Sequence, residues 1–337
     1  MSGSIEPTAT TGSCKSRFLS SIYRPIQADL VEVDRILTEQ LDRSIPWMES
    51  LLSHTNITGG KRMRPALLLF SGLACGELNV EHHQVAAALE MIHTASLVHD
   101  DVLDHALERR HMPTVNSAWG NKTSVLLGDY LFTHAFHLAS QVDSLPSIRR
   151  LAVASNRVCG GEMKQNAWSG NFEITESDYL EMVSGKTAEL CSCACYCGAH
   201  LADAEAPLAE GFSQFGQNLG IAFQIIDDIL DLVGEAETVG KTLGTDLKNR
   251  KPTLPLIHCL SQADAKMRSA MLVELKRENP DQVRVMDWLE STASVEYARS
   301  HARQCAESAV SFASDLPPGV GADSLKMMAQ FVLERTY

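Results

Sequence analysis

Three features predict an all-α fold, a single-domain helical bundle. Apolar residues recur at helical spacing through most of the 337 residues, and no run of alternating apolar and polar residues is long enough to argue for a sheet. Two acidic triplets of one form, DDVLD and DDILD, also interrupt apolar helical stretches far apart in the chain. No period of about 20 to 50 residues repeats along it. The hydrophobic content of 45% with 21% charged residues is ordinary globular composition. The net charge of −13 argues against nucleic acid or an anionic membrane as partner, since both demand basic faces. No run approaches the roughly 18 to 20 apolar residues of a transmembrane segment. Nine cysteines, an odd number without the spacing of a secreted framework, point to a reducing, cytoplasmic setting.

Residues 1–16 are rich in Ser, Thr and Gly and nearly free of large apolar residues, so 1–22 is expected as a disordered tail and 23–337 as the domain. Such an acid-poor start is also compatible with a short organellar import segment. After Pro25, Ile26, Leu30, Val33 and Leu37 repeat at helical spacing. GGKRMRP follows, where a glycine break precedes Lys61, Arg62 and Arg64 at the start of a new helix. Unpaired N–H groups at a helix start, with three cations beside them, would make a diphosphate cradle; a solvated basic turn is the plainer alternative.

Residues 90–110 read as one long buried helix holding five acids. Asp100 and Asp104, four apart, share a face with Asp101 angled beside them. Carboxylates that close repel unless solvent bathes them or a cation neutralises them. His93 lies on nearly the same face, and Arg109 and Arg110 are expected at the helix end, where cations are favoured. Downstream, 124–138 reads as a buried helix, EMVSGKTAEL carries Lys186 and Thr187, and Gln224 precedes the second triplet, Asp227, Asp228 and Asp231. If the two acidic helices face each other, their oxygen-only donors suit Mg²⁺, which keeps positions open for phosphate oxygens. The segment holding Lys241, Lys248, Arg250 and Lys251, broken by glycines and prolines, reads as a basic lid. The four cysteines of CSCACYC, 191 to 197, lack zinc-site spacing and are expected to pack a core. Residues 262–337 read as amphipathic helix with one loop around DLPPGVGAD.

GGKRMRP, HDDVLDHALERR, GDYLF, GKTAEL, FQIIDDILD and GKTLGTDLKNRKPTLPLI occur in the order and spacing of the trans-isoprenyl diphosphate synthases, the polyprenyl synthetases, which this chain resembles over residues 25–337. The resemblance implies a helical bundle around a deep central cavity, a homodimer, and extension of an allylic diphosphate with isopentenyl diphosphate. It implies Mg²⁺, three per site with diphosphate bound, held by Asp100, Asp104 and Asp227 with Asp101, Asp228 and Asp231 assisting. Arg109, Lys186, Thr187, Gln224, Lys241 and Lys251 would grip the allylic diphosphate; Lys61, Arg64, His93 and Arg110 would hold isopentenyl diphosphate. Small residues at Ala95 and Ser96, where bulky aromatics mark farnesyl-length enzymes, imply a product of geranylgeranyl length or longer. His111 and Arg250 depart from the family pattern, which has Gly at both places. A class I terpene cyclase would lack the second triplet and the GGKxxRP site. A di-iron bundle using Glu90 and His93 would need a second ExxH, and a silent partner subunit should have lost motif residues.

Overall fold

The computed structural model describes residues 19–41, 46–55, 57, 60–109, 112–233 and 244–334, most of them helical. Residues 19–23, inside the stretch expected as a tail, are helical and Ile22 is fully buried. Burial of that one apolar side chain against the bundle draws the segment into the fold. A 3₁₀ turn at Arg24–Ile26 leads into α1 (Gln27–Gln40), followed by α2 (Pro46–Ser53) and α3 (Met63–Cys75).

α4 (Val80–Leu103) carries the first acidic triplet and starts ten residues before the stretch that marked it in the sequence. Asn79 opens it: the side chain accepts from the amides of Glu81 and His82, and its own N–H donates to His82 Nδ1. The helix does not run on to residue 110 as its periodicity predicts. It ends at Leu103, His105 turns into the left-handed region at φ 51°, and Glu108–Arg109 (β1) pairs antiparallel with Met112–Pro113 (β2). The Ala106 amide donates back to the Asp101 carbonyl at 3.0 Å across the left-handed His105; Thr114 Oγ1 and Asn116 Nδ2 add to that local cap by donating to the Ala106 carbonyl at 2.7 and 3.0 Å, and Asn116 also reaches the Asp101 carbonyl.

α5 (Val115–Trp119), α6 (Asn121–Ala139), α7 (Leu145–Trp168) and α8 (Glu176–Val183) follow. Thr175 caps α8 in a reciprocal pair with Asp178. A π-helical turn, Ser184–Ala188, joins α8 to α9 (Glu189–Leu201), and α10 (Ala206–Val233) carries the second triplet. α9 is the centre of the bundle, packed against α3, α4, α7 and α10. Its small residues permit this: a Cβ on Gly198 would lie 2.0 Å from the Leu68 carbonyl oxygen, and one on Gly216 of α10 only 2.4 Å from that of Cys191. Cys191, Cys193, Cys195 and Cys197 are buried free thiols here, filling the core as expected.

The chain closes with α11 (Thr245–Lys248), α12 (Leu254–Gln262), α13 (Ala265–Leu275), α14 (Gln282–Ser291), α15 (Ser294–Asp315) and α16 (Val320–Glu334). Three further breaks, at 263–264, 276–281 and 292–293, divide what the sequence presents as helix with one loop; Asp281 caps α14, and Ala293 takes φ 50°. Leu247, Leu256, Met271, Leu275, Val285 and Leu289 form a second, smaller core beside the main one.

Candidate active site

The two triplets are linked through Lys251 and Asp246. Lys251 Nζ lies 2.8 Å from Asp104 Oδ2 and 3.6 Å from Asp246 Oδ1, and Asp246 in turn donates its amide to Asp231 Oδ2 at 2.8 Å. Lys186 makes the matching bridge on the other side, 3.5 Å from Asp100 and 2.5 Å from Glu162 of α7. Two lysines thus stand between the end of α4 and its neighbours. Burial alone would lower the Lys251 pKa, but Asp246 and Asp104 outweigh it and hold the ammonium charged. A cleft of about 210 Å³ opens at this point, lined by Asp104, Glu162, Gln165, Asn166, Asn249 and Lys251 among others.

The π turn sets Lys186 and Thr187. Widening one helical turn re-aims side chains, and here the turn is pressed against α7 so closely that a Cβ on Gly161 would fall 2.4 Å from the Lys186 nitrogen. Thr187 Oγ1 donates to Gln224 Oε1 at 2.8 Å, and Gln224 Nε2 donates to Asp228 Oδ1 at 2.7 Å. The other Asp228 oxygen accepts from the Tyr179 hydroxyl at 2.6 Å. Burial first, and then the charge of Asp246, raise the Asp228 pKa well above the usual carboxylate range. Asp228 is therefore an internal anchor, and its neighbour Asp227 is half-buried beside Asp246.

Asp231 serves the loop after α10. It accepts from Thr245 Oγ1 as well as from the Asp246 amide, and its carbonyl accepts from Gly244 N–H. Residues 244–251 form a tethered turn where the sequence reads as a lid. Gly170 N–H donates to the Arg250 carbonyl at 2.8 Å and Ser169 Oγ to that of Asn249 at 3.0 Å. Arg250 takes φ 53°, the region glycine enters freely, so this departure from the family pattern sits at a position where glycine would be unstrained. Lys241 lies outside the described residues.

Arg109 leaves the helix on β1 and folds back to Asp101, with Nε 2.9 Å from Oδ1. The pairing comes from the turn after α4, where the sequence had placed Arg109 at a helix end. Burial raises the Asp101 pKa against the pull of that guanidinium. Arg110 and His111 lie outside the described residues. Lys61 is exposed, while Arg64 and His93 are half-buried. Arg64 Nε is buried without a hydrogen-bond partner, a donor suited to an anion. Arg62, by contrast, turns inward to Glu90 and Asp34 and takes no part in a cradle. That pairing also removes Glu90 from any di-iron reading. Ala95 is fully buried, whereas Ser96, one turn before Asp100 on its face, is half-buried.

Among the described residues no three His, Cys, Asp or Glu side chains form a ready-made metal cage. Asp100, Asp104 and Asp227 are hard oxygen donors, the first two ion-paired with Lys186 and Lys251. That set fits a divalent ion which takes few protein ligands and completes its shell with phosphate oxygens. Glu162 and Asp246 escape sequence reading. Neither lies in an acidic motif, and the only traces are the Gly160–Gly161 pair before one and the glycine turn before the other.

An all-α bundle that brings two DDxxD helices to one lysine-bridged cleft is the architecture of the isoprenyl diphosphate synthases. Residues 45–291 match the family model described as Polyprenyl synthetase. The chain belongs to that family and is a trans-polyprenyl diphosphate synthase, a prenyltransferase. It is 33% identical to the all-trans-nonaprenyl-diphosphate synthase (geranyl-diphosphate specific) of Rhodobacter capsulatus, over 94% of this chain and 98% of that one. Among solved structures, a decaprenyl diphosphate synthase from Rhodobacter capsulatus is similar at TM-score 0.89 and 32% identity, covering 95% of this chain and 99% of the other. A polyprenyl synthase from Caulobacter crescentus CB15, complexed with calcium and isoprenyl diphosphate, is similar at TM-score 0.88 and 31% identity, covering 95% and 98%.

Proposed function

We propose that the chain condenses isopentenyl diphosphate head-to-tail with an allylic diphosphate, in a Mg²⁺-dependent reaction, to an all-trans product of geranylgeranyl length or longer. The observation that carries this is the pair of lysine bridges, Asp100–Lys186–Glu162 and Asp104–Lys251–Asp246, which tie the first acidic helix to α7 and to the loop held by the second. Asp100, Asp104 and Asp227 would hold the metal, with Asp101, Asp228 and Asp231 as supports. When bound, Mg²⁺ supplies charge neutralisation for the departing diphosphate. Lys186 and Lys251, with Arg109, Thr187, Gln224 and Lys241, grip that diphosphate and stabilise it more as it leaves than before. The allylic C–O bond breaks with its electron pair on the diphosphate. The double bond of isopentenyl diphosphate, held by Lys61, Arg64, His93 and Arg110, then forms the new C–C bond. The proton lost passes to the released diphosphate, since no side chain stands out as a base.

A homodimer is the proposed assembly, with Val125 and Leu126 exposed on α6 as an apolar face for a second copy. The free thiols of all described cysteines suit a reducing, cytoplasmic setting. Incubation with isopentenyl diphosphate, Mg²⁺ and labelled allylic primers, with products separated by length, tests the reading. Asp100→Ala and Asp227→Ala should each abolish elongation while the circular dichroism spectrum is kept; unchanged turnover in either refutes the metal assignment. Diphosphate release without elongation would indicate a cyclase.

A further inference from the structure

Glu90 and Arg62 form a buried ion pair to which the chemistry above gives no part. Arg62 is 6% exposed and Glu90 7%. Arg62 Nη1 donates to Glu90 Oε1 at 3.0 Å, Nη2 to the Ile57 carbonyl at 2.7 Å, and Nε to Asp34 Oδ1 at 2.9 Å. Its backbone sits at φ 48°, a left-handed conformation that a side chain other than glycine adopts only when its surroundings hold it there. The buried hydroxyl of Tyr23, without a hydrogen-bond partner, lies near enough to feel the Glu90 charge.

Two physical points separate this pair from ordinary packing. A buried ion pair adds little net stability over apolar residues of the same shape, because desolvation consumes the Coulombic gain. Its fork, however, fixes geometry: three bonds in one plane leave the guanidinium a single position. The segments so fixed are Lys61–Arg64, which surround Arg62, and α4 at Glu90, one turn before His93. Those are the cations assigned above to isopentenyl diphosphate.

We propose that Arg62 and Glu90 are positioning residues that set the GGKRMRP loop against His93, and so determine the affinity for isopentenyl diphosphate without touching it. The inference rests on the proposed function and adds a specific role for the ExxH pair and for the middle base of the motif. Its test is a split of kinetic constants in the full chain. In Glu90→Gln, and in the double variant Arg62→Met/Glu90→Met that keeps side-chain volume, KM for isopentenyl diphosphate should rise about 10-fold or more, as displaced anchor groups do. KM for the allylic diphosphate and kcat at saturation should stay within about threefold. The double variant guards against simple unfolding, since an apolar replacement of both partners keeps stability near that of the parent. If the double variant melts with the wild type and its KM for isopentenyl diphosphate is unchanged, the positioning role is overturned and the pair is structural only. An equal rise in both KM values overturns it too. A wild-type chain that elongates no primer would remove the parent reading and this inference with it, an outcome distinct from the other two.

Discussion

Removing one oxygen from Tyr179 tests how the second acidic helix is held. Tyr179 is 1% exposed and its hydroxyl donates to Asp228 Oδ2 at 2.6 Å, one of two side-chain donors to that carboxylate. Tyr179→Phe leaves the ring in place and creates almost no cavity, so the loss is that of the hydrogen bond itself. Burial keeps the Asp228 carboxyl largely protonated near neutral pH, so the bond joins two neutral groups and contributes about 0.5 to 1.5 kcal/mol. Unfolding entropy near Tm is about 2.1 cal/mol/K per residue, or about 0.7 kcal/mol/K for a chain of this length, so Tm should fall by about 1 to 2 °C. Calorimetry of both proteins at one concentration measures this. Because Asp228 also receives Gln224, which receives Thr187, the slack should reach the site, and kcat for elongation should fall about 10-fold, as for other groups that orient metal-binding residues. An unchanged Tm would refute the hydrogen bond. A lowered Tm with unaltered kcat would refute the claim that the bond organises the site.

Ser96→Phe, on the Asp100 face, should shorten the product as read by chromatography, whereas Ala95→Phe has no space to enter and should cost about 1 to 3 kcal/mol of stability through overpacking, seen as a lower Tm. In Gly161→Ala the added methyl meets the Lys186 backbone, so α7 and the π turn must part and elongation should fall about 10-fold or more, measured as kcat against the wild type. His82 is fully buried, with Nε2 donating to the Gly198 carbonyl at 3.1 Å, and burial first of all lowers its pKa from 6.5 to about 4. The unfolded chain binds this proton first as pH falls. Its contribution is therefore complete above pH 6.5, is lost between 6.5 and about 4, and changes no further below that. At about 1.4 kcal/mol per unit the loss approaches about 3 kcal/mol, and His82→Gln should flatten the Tm curve across that interval.

Local chemistry made part of this molecule legible in advance. Helical periodicity of apolar residues gives an all-α chain because burial of one face is what stabilises each helix. The paired DDxxD spacing places acids on one face whatever the tertiary fold, and the small thiols of CSCACYC, without zinc-site spacing, read as core packing. The motifs, taken together, also carried the family. Other features depend on groups distant in sequence. The turn after Leu103 is held by Thr114 and Asn116 as well as by its own backbone, and it lets Arg109 fold back to Asp101. Residues 244–251 are a tethered turn because α7 and Asp231 supply their hydrogen bonds. Arg62 looks like one more base beside Lys61 and Arg64 until Glu90, on another helix, shows where its charge is spent. Glu162 and Asp246 become part of the site only through the lysines they face. Periodicity and spacing report interactions within about a turn of a residue, so the sequence determined helices and motifs. Which charges pair across helices is decided by the distances that packing creates, and that belonged to the tertiary structure alone.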